Sequence, residues 1–187
     1  MFALYARVRN ESDAERAWAD WVQTRDELFA THPQSPLPED ARTLFRGLRY
    51  YAYDPALRVR ATVEATAPEP VAIPASVATP IPFRRFALAR FELLGEPRSL
   101  ELYWLDAYGG GIFLPFADAT SSGETYGAGR YLLDTVKGAD LGTDDGRLVV
   151  DFNFAYNPSC SYDPAWACPL APPANRLDVA VAAGERL

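Results

Sequence analysis

The sequence predicts a mainly β protein, an antiparallel β-barrel or sandwich with one or two N-terminal helices packed on it. Three observations carry that prediction. Apolar residues recur at helical spacing only in the first part of the chain, apolar and polar residues alternate from residue 48 onward, and the alternating segments are separated by short turns. Parallel strands would need crossovers of about a dozen residues or more. The 187 residues suit one domain, 1–187, divided into an N-terminal helical segment, 1–46, and a β-rich body, 47–187. With 49% apolar and 13% aromatic residues, the chain has material for one substantial core.

Asn10 and Ser12 are N-cap residues by type, and Ser12 with Glu15 reads as a capping box, so a helix is expected to begin there. Ala14, Ala17, Trp18, Trp21, Leu28 and Phe29 then share one helical stripe, and Pro33, Pro36 and Pro38 end it. Pro38, Glu39 and Asp40 suit the first turn of a second short helix over 38–45. Next, Leu57, Val59, Ala61, Val63 and Ala65 face one way while Arg58, Arg60, Thr62 and Glu64 face the other, the pattern of a half-buried strand. Further strands are expected over 48–53, 71–76, 83–94, 99–106, 111–116, 125–134, 147–154 and 176–182. Gly95-Glu96-Pro97, Gly109-Gly110-Gly111 and Asp144-Asp145-Gly146 supply hairpin turns. Residues 67–82 carry five prolines and belong at a sheet edge or in an irregular excursion.

Charge and composition exclude several functions. Twenty-five acidic residues against 18 basic ones give a net charge of -7, which repels phosphate backbones and anionic lipid, so no nucleic acid and no membrane partner is expected. No window approaches the roughly 20 apolar residues of a membrane span. Arg7 and Arg9 interrupt the N-terminal apolar stretch before it reaches secretory length, and a cytoplasmic location is expected.

Cys160 and Cys168 lack the close pairing of a zinc site, and His32 is the sole imidazole, so neither a metal nor a cofactor is expected. The cysteines read as small buried thiols or as a local disulfide. His32, between a helix and Pro33, reads as a helix-terminal imidazole. Ser121-Ser122-Gly123 lacks the nucleophile elbow of a hydrolase. Residues 140–146 miss the calcium-loop register and read as a solvated hairpin. Tyr108-Gly109-Gly110-Gly111-Ile112 lacks the lysine and following helix of a phosphate loop, and reads as a tight or bulged turn.

Chemistry concentrates in two stretches. Residues 116–131 set Asp118, Glu124 and Arg130 among glycines, hydroxyls and aromatics, and on a strand Tyr126, Arg130 and Asp134 would share a face. In 151–158, alternation sends Phe152 and Phe154 to one side and Asp151 and Asn153 to the other. A buried carboxylate or amide needs hydrogen bonds, so Asp151 and Asn153 should meet Arg130 or a ligand. Two readings stand. In one, Arg130 bridges Asp118, Glu124 or Asp151 in a structural network while Asn153 and Asn157 tie down loops. In the other, Tyr126, Arg130, Tyr131, Asp151, Asn153 and Asn157 line a polar pocket for a small anionic or polar molecule, with Asp118, Glu124 or Asp151 as catalytic carboxylate. The alternative function is a non-catalytic interaction domain, homodimeric through Tyr50, Tyr51, Tyr53 or Trp166. A third is hydrolysis by a metal held by Asp118, Glu124 and Asp151.

Residues 25–37, 116–131, 151–158 and 160–169, together with Pro172-Pro173-Ala174-Asn175-Arg176-Leu177 and Gly184-Glu185, resemble a bacterial and archaeal family known as domain of unknown function 1684. The family pattern carries a glutamate where Ala174 stands here. The resemblance implies one intact domain and no particular activity.

Overall fold

The computed structural model describes residues 1–77, 80–107 and 109–187. Its first helix, α1 (Phe2–Asn10), buries Leu4, Tyr5 and Val8. This helix was not among the sequence expectations. Arg7 and Arg9, which interrupt the apolar stretch, lie on its exposed side and leave a stripe at positions 4, 5 and 8. The second helix, α2 (Ala14–Thr31), is capped by Asp13, whose carboxylate accepts from the N–H groups of Glu15 at 3.0 Å and Arg16 at 3.1 Å. Asp13, not Ser12 or Asn10, therefore holds the cap, and Asn10 ends α1. The short α3 (Glu39–Leu44) follows Pro38 as the first-turn residues predict.

Among the described residues, nine strands form the β-rich remainder: β1 (Arg49–Tyr50), β2 (Arg58–Ile73), β3 (Ile81–Leu93), β4 (Glu96–Leu105), β5 (Ile112–Phe116), β6 (Arg130–Asp134), β7 (Thr143–Asp144), β8 (Arg147–Asp151) and β9 (Glu185–Arg186). Seven make one antiparallel sheet in the order β6-β5-β4-β3-β2-β8-β7, and β1 pairs with β9. Among the described residues β6 and β7 are not paired, so the sheet is open and no barrel closes.

Several expected strands shift. The alternating segment at 57–65 and the expected strand at 71–76 merge into β2. Leu57 and Ala61 are buried, but Val63 is 46% exposed: from Thr62 onward β2 pairs only with β3 and loses its β8 neighbour, and the strand is buried again only at Ile73. Pro68 and Pro70 sit in that one-sided portion, where a missing N–H is tolerated. Of the residues in this proline-rich segment, Ala78 and Thr79 lie outside the described residues, as does Tyr108 at the head of the glycine run. Gly109 and Gly110, at φ +79° and +60°, take the left-handed conformation that turns β4 into β5. Residues 140–146 do include a hairpin, β7 to β8, turning at Asp145 and Gly146. The strand expected at 125–134 shortens to β6, and the one expected at 147–154 stops at Asp151.

The sheet carries an apolar cluster on each face. On one side Leu100, Leu102, Leu114, Phe116 and Val150 pack with Phe152, Ala155, Leu177, Val181 and Ala183. On the other, Phe83, Tyr103, Leu105, Phe113 and Val149 pack with Leu4, Tyr5, Val8, Ala17 and Trp21. Consecutive residues of β4 and β8 feed opposite clusters, as strand alternation requires. Helices thus cover one face and the C-terminal chain the other. That C-terminal chain was expected to form a strand at 176–182. It instead runs extended over the core, with Leu177 N–H donating to Ala117 O at 2.8 Å and Ala119 N–H to Val179 O at 3.1 Å. Among the described residues, no helix is long and apolar enough to cross a membrane.

Candidate functional site

The structure places most of the sequence candidates in two internal networks and one cleft, with Glu124 on the surface and Tyr126 outside the cleft lining. In the first network Arg130, 1% exposed, lies at 5.0 Å over the Phe116 ring. Its Nη1 donates to the carbonyls of Ala183 and Glu185, and its Nη2 to Asp118 Oδ2 at 2.9 Å and Val181 O at 3.1 Å. Burial pulls the arginine's pKa below its ordinary value, while Asp118 pulls the other way. Asp118 Oδ2 also accepts the Val181 N–H, and Oδ1 accepts the N–H and hydroxyl of Thr120 at 3.0 and 2.6 Å. Both groups are spent on pinning the C-terminal chain to β6. The anion-gripping role expected of Arg130 has no donor left at Nη1 or Nη2.

Asp151 belongs to a second network. Alternation does not continue past it, because Phe152–Phe154 forms a 3-10 turn that Asp151 caps, and Asp151, Asn153 and both phenylalanines are all buried. Asp151 Oδ1 accepts the Asn153 N–H and side-chain amide, and Oδ2 accepts Arg58 Nη1 at 3.0 Å and the Tyr53 hydroxyl at 3.4 Å. Burial raises the Asp151 pKa, against the lowering pull of Asn153 and Arg58. Asn153 is equally committed, its amide exchanging hydrogen bonds with the backbone of Asp54 and its carbonyl accepting Trp18 Nε1. Asp151 and Asn153 therefore meet Arg58 and Asp54, and neither hydrogen-bonds Arg130.

Glu124 is exposed and accepts from the Tyr51 hydroxyl at 3.0 Å. The three candidate carboxylates thus have separate partners, and among the described residues no group of three or more His, Cys, Asp or Glu is placed to hold a metal ion. Tyr50, Tyr51 and Tyr53 are each half-buried. Tyr50 packs on Trp18 and Trp21, Tyr53 on Trp18, and Arg186 lies over Tyr51.

The cleft lies between the C-terminal half of α2 and the helix-covered face of the sheet, with a volume of about 490 Å³. Phe29, Phe83, Phe113, Tyr131, Tyr156 and Trp166 supply its aromatic wall, and Arg25, His32, Asp134, Lys137 and Asn157 its polar groups. The rings brace one another. Phe83 stacks on Phe113 at 5.2 Å, Phe113 meets Tyr131 edge-on at 4.8 Å, and Tyr131 meets Tyr156 at 5.6 Å. Of the six residues expected to bind ligand, Tyr131 and Asn157 line this cleft. Tyr126 stands behind it with its hydroxyl 3.7 Å from Cys160 Sγ, and its pKa is pushed up to about 12 by burial and then by Cys160.

Cys160 and Cys168 are free thiols, both buried, with the Cys160 N–H donating to Cys168 Sγ at 3.3 Å. Burial pushes the Cys168 thiol up to about 11. His32 lines the cleft mouth, and its Nδ1 accepts the Gln34 N–H at 3.1 Å.

The polar end is built around Arg25, which the sequence reading passed over. Its guanidinium lies 4.9 Å from the Trp21 ring, 5.3 Å from Phe29 and 5.0 Å from Tyr156. Nε donates to the Tyr50 hydroxyl at 2.9 Å and Nη2 to Glu185 Oε2 at 2.7 Å. Burial opposes the arginine's charge, but Tyr50 and Glu185 together outweigh it and its pKa is raised. Glu185, 1% exposed, also accepts the Asn157 N–H at 3.0 Å and the Tyr162 hydroxyl. Burial raises its pKa despite Arg25 alongside. One signal for Arg25 was present in the sequence: it sits four residues from both Trp21 and Phe29, a charge inside an apolar helical stripe. Asn157 is 4% exposed, and among the described residues its Oδ1 has no hydrogen-bond partner.

Comparison with known proteins finds no match among curated proteins. Among solved structures, the chain is similar to the solution NMR structure of the uncharacterized protein from gene locus rrnAC0354 of Haloarcula marismortui. The two are 37% identical over 92% of this chain and 95% of that one, with a TM-score of 0.65. The sequence profile of the family described as "Protein of unknown function (DUF1684)" matches residues 43–186, most of the chain, and the protein belongs to that family.

Proposed function

We propose that the protein binds a small amphipathic molecule in the cleft between α2 and the sheet, with the ligand's polar head at Arg25 and Asn157 and its apolar body against the aromatic wall. The observation that carries this reading is a cavity of about 490 Å³ walled by mutually braced aromatic rings, with Arg25, His32 and Asn157 among its polar lining. The aromatic wall supplies the apolar area from which such sites draw affinity, and Arg25 and Asn157 supply orientation.

A fragment screen by two-dimensional NMR tests the reading. Binders should perturb the amides of Phe113, Tyr131, Asn157 and Trp166 together, and Ser159→Phe, which fills the cleft from its rim, should abolish the perturbation while leaving the rest of the spectrum in place. Fragments that bind only elsewhere, or that bind Ser159→Phe equally well, would refute it.

A further inference from the structure

We propose that Cys160 and Cys168 form a reversible disulfide, a covalent clasp that closes the segment bearing Trp166 and Ala167 on the rim of the cleft. The two sulfurs belong to opposite ends of that segment, and both residues are buried. The Cys160 N–H donates to Cys168 Sγ at 3.3 Å. A nitrogen lies about 1.5 Å and a sulfur about 2.8 Å from its own Cα, so the two Cα atoms stand within about 7.6 Å of each other, close to the roughly 4.4–6.8 Å that a disulfide spans. Among the described residues, the other polar contact of the two sulfurs is the Tyr126 hydroxyl, 3.7 Å from Cys160 Sγ.

The ends of the segment are anchored to different parts of the fold. Cys168 is stitched to the stretch after β2, its N–H donating to Ser76 Oγ at 2.9 Å and its carbonyl accepting the Ser76 N–H at 2.9 Å. Cys160 sits in the 3-10 turn Ser159–Ser161, beyond Asn157, whose N–H is fixed on Glu185. Between them Pro164, Ala165, Trp166 and Ala167 are exposed and turn on Asp163, which accepts the Ala165 N–H at 2.9 Å and the Trp166 N–H at 3.1 Å. A bond between two anchored ends therefore tightens the exposed part while the anchors stay in place.

Hydrogen peroxide, little larger than water, is the oxidant, and Cys168 lines the cleft through which it enters. The Cys168 sulfur attacks one peroxide oxygen and the O–O bond breaks. The departing oxygen takes up the Cys168 proton and leaves as water, so that Cys168 becomes a sulfenic acid. The Cys160 sulfur then attacks the sulfenic sulfur, the S–S bond forms as the S–O bond breaks, and the hydroxide leaves with the Cys160 proton as a second water. The thiol pair loses two electrons and the peroxide gains them. Burial pushes the Cys168 thiol up to about 11, so little thiolate is present at neutral pH and the pair stays reduced until an oxidant is supplied. The Cys160 N–H pulls the other way and steadies the thiolate as it forms.

The test treats the full chain with a small excess of hydrogen peroxide and reads intact mass, peptide map and hydrogen exchange. The product should be lighter by two hydrogens, about 2 Da, with residues 160 and 168 in one bridged peptide, and a dithiol reductant should restore the original mass. In the bridged form the Ala165 and Trp166 amides should exchange severalfold more slowly, with the most protected amides of β4 unchanged. Cys160→Ser under the same treatment should show neither the bridge nor the slowing. None of these readouts needs a ligand, so they hold whether or not the cleft binds one. A folded chain that gains oxygen without bridging, or that keeps both thiols at a peroxide dose that bridges the urea-unfolded chain, overturns the proposal. So does a bridged chain whose rim exchanges at the unbridged rate, or slowing that persists in Cys160→Ser.

Discussion

Glu185 shows how a single buried carboxylate can be held firmly and still resist its own charge. Three donors reach it, from Arg25, Asn157 and Tyr162, yet it is fully enclosed and burial raises its pKa above the ordinary 4.5. An acid whose pKa is higher in the folded chain binds protons more tightly there. Its contribution to stability is therefore complete below about pH 4.5 and is lost as pH rises through the folded-state value. Glu185→Gln cannot titrate. The stability of the native chain minus that of Glu185→Gln, from urea unfolding between about pH 4 and pH 8, should fall with rising pH and then level off. A difference that grows with pH would mean that Arg25 overcomes burial. Arg130 and Asp118 carry the complementary lesson: an arginine and an aspartate among glycines look like a site in the sequence, and in the fold they saturate one another and the neighbouring backbone.

At the scale of elements, side chains complete what strands leave open. The β4–β5 pairing joins Tyr103 to Phe113 and Trp104 to Ile112, and the side chain of Asn175 takes over beyond it. Its Oδ1 accepts the Glu101 N–H at 2.7 Å, and its Nδ2 donates to Glu101 O at 3.0 Å and Pro115 O at 2.7 Å. Asn175 is wholly buried, so Asn175→Ala leaves one donor and two acceptors unsatisfied. That substitution should cost about 3 kcal/mol in denaturant unfolding, with Asn175→Asp costing a comparable amount because it keeps the acceptor and loses both donations. Elements with local causes were legible in the sequence. The apolar stripe of α2, the prolines before α3 and the turns at Gly95 and Gly146 all act within a few residues. What was not legible depended on distant partners. Asp151 ends β8 because a turn begins there, β2 runs on past Ala61 because β3 pairs with it, and 176–182 stays out of the sheet because Ala117, Ala119 and Arg130 hold it. The candidate site divided in the same way. Tyr131 and Asn157 were readable as aromatic and amide on core-like stretches, whereas Arg25 depends on a carboxylate 160 residues away.

For the molecule as a whole, those long closures make the two ends of the chain interdependent. Arg25 on α2 meets Glu185 on β9, Trp18 donates to Asn153 O, and β1 pairs with β9. Arg130 fastens the approach to β9 through the carbonyls of Val181, Ala183 and Glu185. Loosening the C-terminal chain should therefore release the helices as well as the sheet. Gly184, at φ +71° with a Cβ position only 2.6 Å from Ala155 O, leaves that chain no alternative path. Arg130→Met removes the fastening and strands Asp118 as a buried charge, at a cost of about 3–5 kcal/mol. Native-state hydrogen exchange reads the coupling. If the chain unfolds as one cooperative unit, the most protected amides of α2 and β4 should lose the same free energy of opening in Arg130→Met, although among the described residues the Arg130 guanidinium bonds only to Asp118 and the C-terminal chain. A loss confined to the C-terminal chain and β6, with α2 protection unchanged, would show that the helices dock without that closure, and the Arg25–Glu185 pair would then be a local fastening of the cleft rather than a clamp across the whole fold.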